Sequence, residues 1–287
     1  SNSLYIWSSL DNYDLNQATL ELKKLDERFE NLKKIQKVFL NCHFNSLNTN
    51  NLFEELTSNK KIDFSRYKYF YASYTANLGK ANKAKEILNS ALNLHPRNLL
   101  LNQYKLDLNL GKNNSSFDCK NREHVIAEIL YVTSNALSSQ SIYPLSDFYL
   151  NLAKYLNKDF HSYDTLLAEN FYKVNNLVEA KKIYNNLTKK GKAFHWYSSK
   201  QLARIYIEEG DKDNALKLLT NAYNNLINKD IYETFDYAEF LKNNEKFEES
   251  IFYYSEIINK VEKTHPLYVE STDGRGIAYE RVGEWDK

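Results

Sequence analysis

A fixed period of 35 residues constrains this chain more than any other feature. Across 201–223, QLARIYIEEGDKDNALKLLTNAY, the residues Leu202, Ala203, Ile205, Tyr206 and Ile207 form one apolar stripe. Ala215, Leu216, Leu218, Leu219 and Ala222 form a second, again at three-and-four spacing. Gly210 stops the first run, and Asp211 or Asp213 can cap the next helix. Small Ala203 and Ala215 stand where two antiparallel helices must come close. A shift of 35 residues toward the N-terminus reaches Ala168 and Ala180, and the same shift toward the C-terminus reaches Ala238 and Ser250. A further step of 38, through a linker lengthened around Pro266, reaches Gly276. The turns in KVNNLVEAKKIY, EEGDKDNALKLL, NNEKFEESIFYY and RVGEWDK align with these steps. A helical hairpin cannot bury its apolar stripe alone, so the period predicts stacked hairpins rather than one closed globule.

The spacing resembles the tetratricopeptide repeat, with a small residue in the first helix, Gly before the turn, and Ala, an aromatic and Ala in the second. The segment 65–98 fits best, with Ala72, Gly79, Ala84, Leu88, Ala91 and Pro96 in register. The segment 196–229 supplies Ala203, Gly210, Ala215, Leu219 and Ala222. Segments 161–194 and 231–264 are looser, with Asn175 and Glu245 where Gly is usual. The resemblance implies an all-α, right-handed superhelix of stacked antiparallel hairpins. It covers the chain from Ser65 onward well and the first sixty residues poorly.

Composition agrees. Only 7 Gly and 3 Pro in 287 residues suit a nearly all-helical chain and argue against a sandwich or barrel. The 38 basic and 37 acidic residues cancel, so no global field draws nucleic acid or an anionic membrane. No apolar run approaches the length of a membrane span. Tyrosine, at 23 residues, takes the large positions of the repeats. Cys42 and Cys119, far apart and in no metal-ligand spacing, read as small buried hydrophobes. The chain begins Ser1-Asn2-Ser3 without Met, so a missing leader says nothing about compartment.

The polar run GKNNSS at 111–116 is the expected boundary between a degenerate helical region, 1–115, and a C-terminal tandem, 116–287. The hairpin 124–157 reads as irregular. Ala127 and Ser146 take the two small positions 19 residues apart, against 12 for Ala203 and Ala215, with a break near 138–141 and Pro144 opening the second helix. Trp285 and Asp286 read as the turn into a further helix, so more repeats are expected beyond Lys287, with a C-terminal edge able to self-associate. This layout, and DGRGIAYERVGEWDK above all, resembles a group of alphaproteobacterial tetratricopeptide proteins. That resemblance implies a bacterial, envelope-directed (periplasmic) protein without an assigned activity, with a cytoplasmic location as the alternative.

No residues announce chemistry. The six histidines lack metal-ligand spacing, and His124 beside Glu123 and Glu128 reads as a solvated pair. GxSxG, GxxxxGK[ST] and GxGxxG are absent, and Gly274-Arg275-Gly276 reads as close helix packing. No catalytic residues, metal ligands or cofactors are expected. In stacked hairpins the first helices line a groove. The repeat register assigns to it Tyr69, Tyr172, Lys200, Arg204, Phe235 and Lys242, with Glu169, Glu239, Asp273, Ile277 and Glu280 among them. A mixed polar and aromatic groove suits a protein or peptide partner better than nucleic acid. The expected function is a non-catalytic scaffold binding such a partner. The alternative is an enzyme accessory or catalytic α/α-repeat protein acting on carbohydrate or envelope material, which would need two positioned carboxylates.

Overall fold

The computed structural model describes residues 2–58, 65–113 and 115–287, so Ser1 and Asn114 of the GKNNSS run lie outside the described residues. Sixteen α-helices and no strand are found among the described residues. The first seven are α1 (Asn2–Ser8), α2 (Leu15–Lys23), α3 (Glu30–His43), α4 (Thr49–Ser58), α5 (Ser65–Asn77), α6 (Ala81–Leu94) and α7 (Leu99–Asn109). Next come α8 (Arg122–Ser139), α9 (Tyr143–Leu156), α10 (Ser162–Lys173) and α11 (Leu177–Leu187). The last are α12 (Lys192–Glu208), α13 (Lys212–Asn224), α14 (Ile231–Asn243), α15 (Phe247–Lys260) and α16 (Pro266–Val282).

Five hairpins share one frame: α5/α6, α8/α9, α10/α11, α12/α13 and α14/α15. The first helix carries a fully buried small residue, which is Ala72, Ser134, Ala168, Ala203 or Ala238. Seven residues later the backbone turns left-handed, at Gly79, Ser141, Asn175, Gly210 and Glu245. Twelve residues after the first small residue comes a second, also fully buried: Ala84, Ser146, Ala180, Ala215 or Ser250. One turn further comes a large buried side chain: Leu88, Leu150, Tyr184, Leu219 or Tyr254. Small residues at both near points let the helix backbones approach, and the left-handed residue ends the first helix by a C-cap. Asn175 and Glu245 adopt the conformation that Gly takes elsewhere, at some cost in backbone strain. The chain is an all-α array of tetratricopeptide-like hairpins.

The frame corrects the reading of 124–157. The close approach in α8/α9 is made by Ser134, not Ala127. Ser134 Oγ donates to the Ser146 carbonyl (3.1 Å) and Ser146 Oγ donates to the Ser134 carbonyl (2.9 Å). Ala127 lies two turns earlier on a helix extended at its N-terminus. The break at Ser141 and the opening of α9 by Pro144 fall as expected. In α16 it is Gly274 that packs closely, since a Cβ there would meet the Tyr254 ring at 2.5 Å. Gly276 is open to solvent, while Ala278 is fully buried.

The chain divides into two compact units, Ser1–Ile183 and Tyr184–Lys287, with the division inside α11 rather than at 115/116. Residues 115–119 form no helix and belong to the core of the first unit. Phe117 is 2% exposed and packs on Phe70 (ring centroids 4.1 Å apart) and Phe39 (5.3 Å). Ser73 Oγ donates to the Phe117 carbonyl (3.0 Å), and Asn157 Nδ2 donates to the Ser116 carbonyl (2.8 Å). Cys119 is joined to Cys42 of α3 in a disulfide, Cα to Cα 5.8 Å, so these are not the free thiols expected from sequence. Beside this segment the Arg66 guanidinium makes a bidentate pair with buried Glu128 (2.8 and 2.6 Å) and lies 3.8 Å over the Tyr131 ring. Burial pushes the Glu128 carboxyl up, and Arg66 opposes the shift by favouring its charge.

The disulfide closes a span of 77 residues. Reduction, or Cys42→Ser, is expected to lower the urea midpoint by an amount equivalent to about 4 kcal/mol, read for the first unit by its tyrosine signal. An unchanged midpoint on reduction would show that 115–119 is held by packing alone.

Candidate partner-binding face

The first helices of the second unit, α12, α14 and α16, carry most of the residues that the register assigns to a groove. Each is positioned by the opposite side of its own helix. Ala203 is fully buried on α12 and leaves its neighbour Arg204 exposed. Ala238 and Leu241 are buried on α14, which leaves Glu239 and Lys242 half-buried. On α16, buried Gly274 and Ala278 leave Asp273, Ile277 and Glu280 exposed.

Charges on this face are arranged in neighbouring pairs. Lys200 Nζ donates to Asp236 across from α12 to α14, and it lies 5.8 Å from the Trp196 ring. Lys242 Nζ donates to Glu239 Oε1 at 2.7 Å and stands 5.8 Å from the Tyr254 ring, whose hydroxyl donates to the same carboxylate. Arg275 donates from α16 to Ser255 Oγ (3.1 Å). Partly desolvated pairs of this kind fix side-chain positions more than they add stability. Charge balance, rather than a basic stripe, is the face's electrostatic character.

Not every expected groove residue reaches it. Tyr69 is a core residue, 2% exposed, packed on Tyr104 (5.1 Å) and Phe160 (5.7 Å). The reason is the 115–119 segment, which lies over α5 and brings Ser115 and Ser116 beside the Tyr69 hydroxyl. Phe235 is also interior, 8% exposed, turned onto Tyr254 (6.0 Å). There the Tyr254 ring fills the position that leucine holds in α5/α6, α8/α9 and α12/α13, and Phe235 packs against it. Tyr172 is half-buried on α10 of the first unit. Lys200, Arg204 and Lys242 are together in the second unit.

Sequence reasoning missed Glu233. It closes a capping box with Asp230 at the start of α14 and lies beside Asp236 and Lys200. Burial pushes its carboxyl up to about 7, neighbouring Asp230 adds to the rise, and Lys200 opposes it. His124 is likewise not solvated: its Nδ1 accepts from the Asp118 amide (3.0 Å), and burial lowers its affinity for a proton. Among the described residues no cluster of three His, Cys, Asp or Glu side chains could hold a metal ion. No described helix is long and apolar enough to cross a membrane.

No family model matches the chain, and no curated protein matches it. Among solved structures it is similar to a chain of the APC/C hetero-tetramer Cut9-Hcn1, at 15% identity over 99% of this chain and a TM-score of 0.39. It is similar to human IFIT1, in a dimer with m7Gppp-AAAA, at 15% identity, 99% coverage and a TM-score of 0.30. The P58(IPK) TPR domain follows at 11% identity, 99% coverage and 0.26. The chain spans 50%, 60% and 89% of the length of these three chains. These are distant similarities, and the fold rests on the hairpin frame described above.

The raised Glu233 pKa carries a sign. The folded state binds this proton more tightly than the unfolded chain does, so the contribution is fully present below pH 4.5 and is lost as pH rises through about 7. Solvent screening at this half-buried site leaves about 1 kcal/mol of the effect. Glu233→Gln is therefore expected to flatten the fall in stability between pH 5 and 8, measured as the thermal midpoint of the second unit's unfolding. A variant with the wild-type pH slope would assign the titration elsewhere.

Proposed function

We propose that the chain is a non-catalytic scaffold that holds a protein or peptide partner on the first-helix face of its second unit. The observation that carries this reading is the composition of that face. Exposed Arg204 and Ile277 and half-buried Ile207 share it with the pairs Lys200–Asp236 and Lys242–Glu239. Alternating apolar and mixed-charge surface of this kind suits a peptide backbone with both acidic and basic side chains. It offers nothing to a polyphosphate, which needs an excess of cations. The corresponding face of α5 in the first unit is filled by the chain's own residues 115–119, which favours the second unit as the place of docking. The Cys42–Cys119 disulfide supports work in an oxidising compartment such as the bacterial envelope.

The test is quantitative capture from cells of the source organism, with the wild-type chain and an Arg204→Glu/Ile277→Asp variant compared side by side. A partner retained by the wild type and depleted at least about tenfold by the variant is expected, since each lost contact is worth on the order of 1–2 kcal/mol. Equal retention by both would move the docking surface elsewhere.

A further inference from the structure

Helix α9 presents to solvent an apolar stripe apart from the face that packs into its own unit. Leu145 (43% exposed), Phe148 (57%), Leu152 (39%) and Tyr155 (87%) follow one another at intervals of three, four and three. This is the a/d spacing of a helix that pairs with another helix, and it lies opposite the buried stripe of Ser146, Leu150 and Ala153. A helix needs only one apolar stripe to pack into its own unit. Here the second is longer and bulkier than the first.

The charges of α9 are turned away from this stripe. Asp147 accepts from Asn170 Nδ2 (2.7 Å), and Lys154 pairs with Asp164 (2.6 Å), so both are engaged with α10. The exposed positions of α9 are Pro144, Leu145, Phe148, Asn151, Leu152 and Tyr155, with no charge among them. A face without charge has nothing to select an oppositely charged partner, but it can be complementary to itself.

Its order supports that. The stripe is balanced about the level of Leu150, with 145 and 148 on one side and 152 and 155 on the other. Two copies of α9 laid antiparallel across a two-fold axis at that level set Leu145 against Tyr155 and Phe148 against Leu152, a large ring against a smaller chain each time. The opposite charges Lys158 and Asp159 fall outside the paired stretch and meet no like charge. With exposed Ile142 included, each copy offers roughly 500 Å² of side-chain surface. A pair would bury about 1,000 Å², the lower limit for specific association.

We propose that α9 is a self-association surface through which two copies of this chain pair antiparallel by their Leu145–Phe148–Leu152–Tyr155 stripes. The surface lies in the first unit and does not depend on the partner-binding reading of the second.

Sedimentation equilibrium of the oxidised chain over a wide concentration range tests it. The wild type is expected to dimerise in the micromolar range, as suits an interface at the lower size limit. Phe148→Glu and Leu152→Lys, each at a solvent-exposed position, are each expected to weaken dimerisation at least about a hundredfold with an unchanged helical spectrum. The double variant Phe148→Glu/Leu152→Lys brings opposite charges together across an antiparallel pair and is expected to recover most of the association. Parallel pairing would set like charges together and give no recovery, which would overturn the stated geometry. A wild type that remains monomeric, or single variants that associate as the wild type does, would overturn the proposal as a whole.

Discussion

Every hairpin depends on one close approach, where two residues without bulk allow two helix backbones to meet. Ala203 with Ala215 and Ala72 with Ala84 show it in its apolar form. Ser134 with Ser146 shows that a hydroxyl is accepted there if each can donate to the other's carbonyl. The left-handed turn seven residues after the first small residue, and the large side chain one turn after the second, follow from that contact. The first helix must end where the backbones begin to part, and the space beyond must be filled. Where the Tyr254 ring does the filling, α16 yields: a Cβ at Gly274 would meet that ring at 2.5 Å.

The first unit uses its inner surface for its own chain. A non-helical segment packs its phenylalanine between α3 and α5, and Ser73 holds a carbonyl of its backbone. The disulfide ties that segment to α3, and the Arg66–Glu128 pair beside it is bidentate and nearly dry. A pair of this kind contributes little net stability, but removing either charge strands the other, so it specifies one arrangement of α5 against α8. The second unit has no such plug, and its ion pairs are partly open to solvent. The two units thus use one frame for two ends, an interior in the first and an exposed face in the second.

The frame was legible wherever alanine marked it, because alanine at both near points of a 35-residue period has few other meanings. It was hidden in α8/α9, where Ser134 looks like any polar surface residue and Ala127 competes for its place two turns away. The disulfide was not legible, because pairing across 77 residues depends on where a non-helical segment lies, and no periodicity records that. The placement of the candidate face's side chains was partly legible. A register position fixes which way a residue leaves its helix, so Lys200, Arg204 and Lys242 were placed together. Whether something lies over that position is a matter of tertiary structure, and for Tyr69 and Phe235 something does.

The central claim, that fully buried small residues at fixed spacing set the hairpins, is tested most directly by filling the near point. Chemical denaturation of the chain with Ala203→Leu, and separately with Ala215→Leu, measures the cost of forcing the α12 and α13 backbones apart. A loss of about 1–3 kcal/mol is expected for each, with the unfolding slope unchanged. Midpoints equal to the wild type for both variants would contradict it.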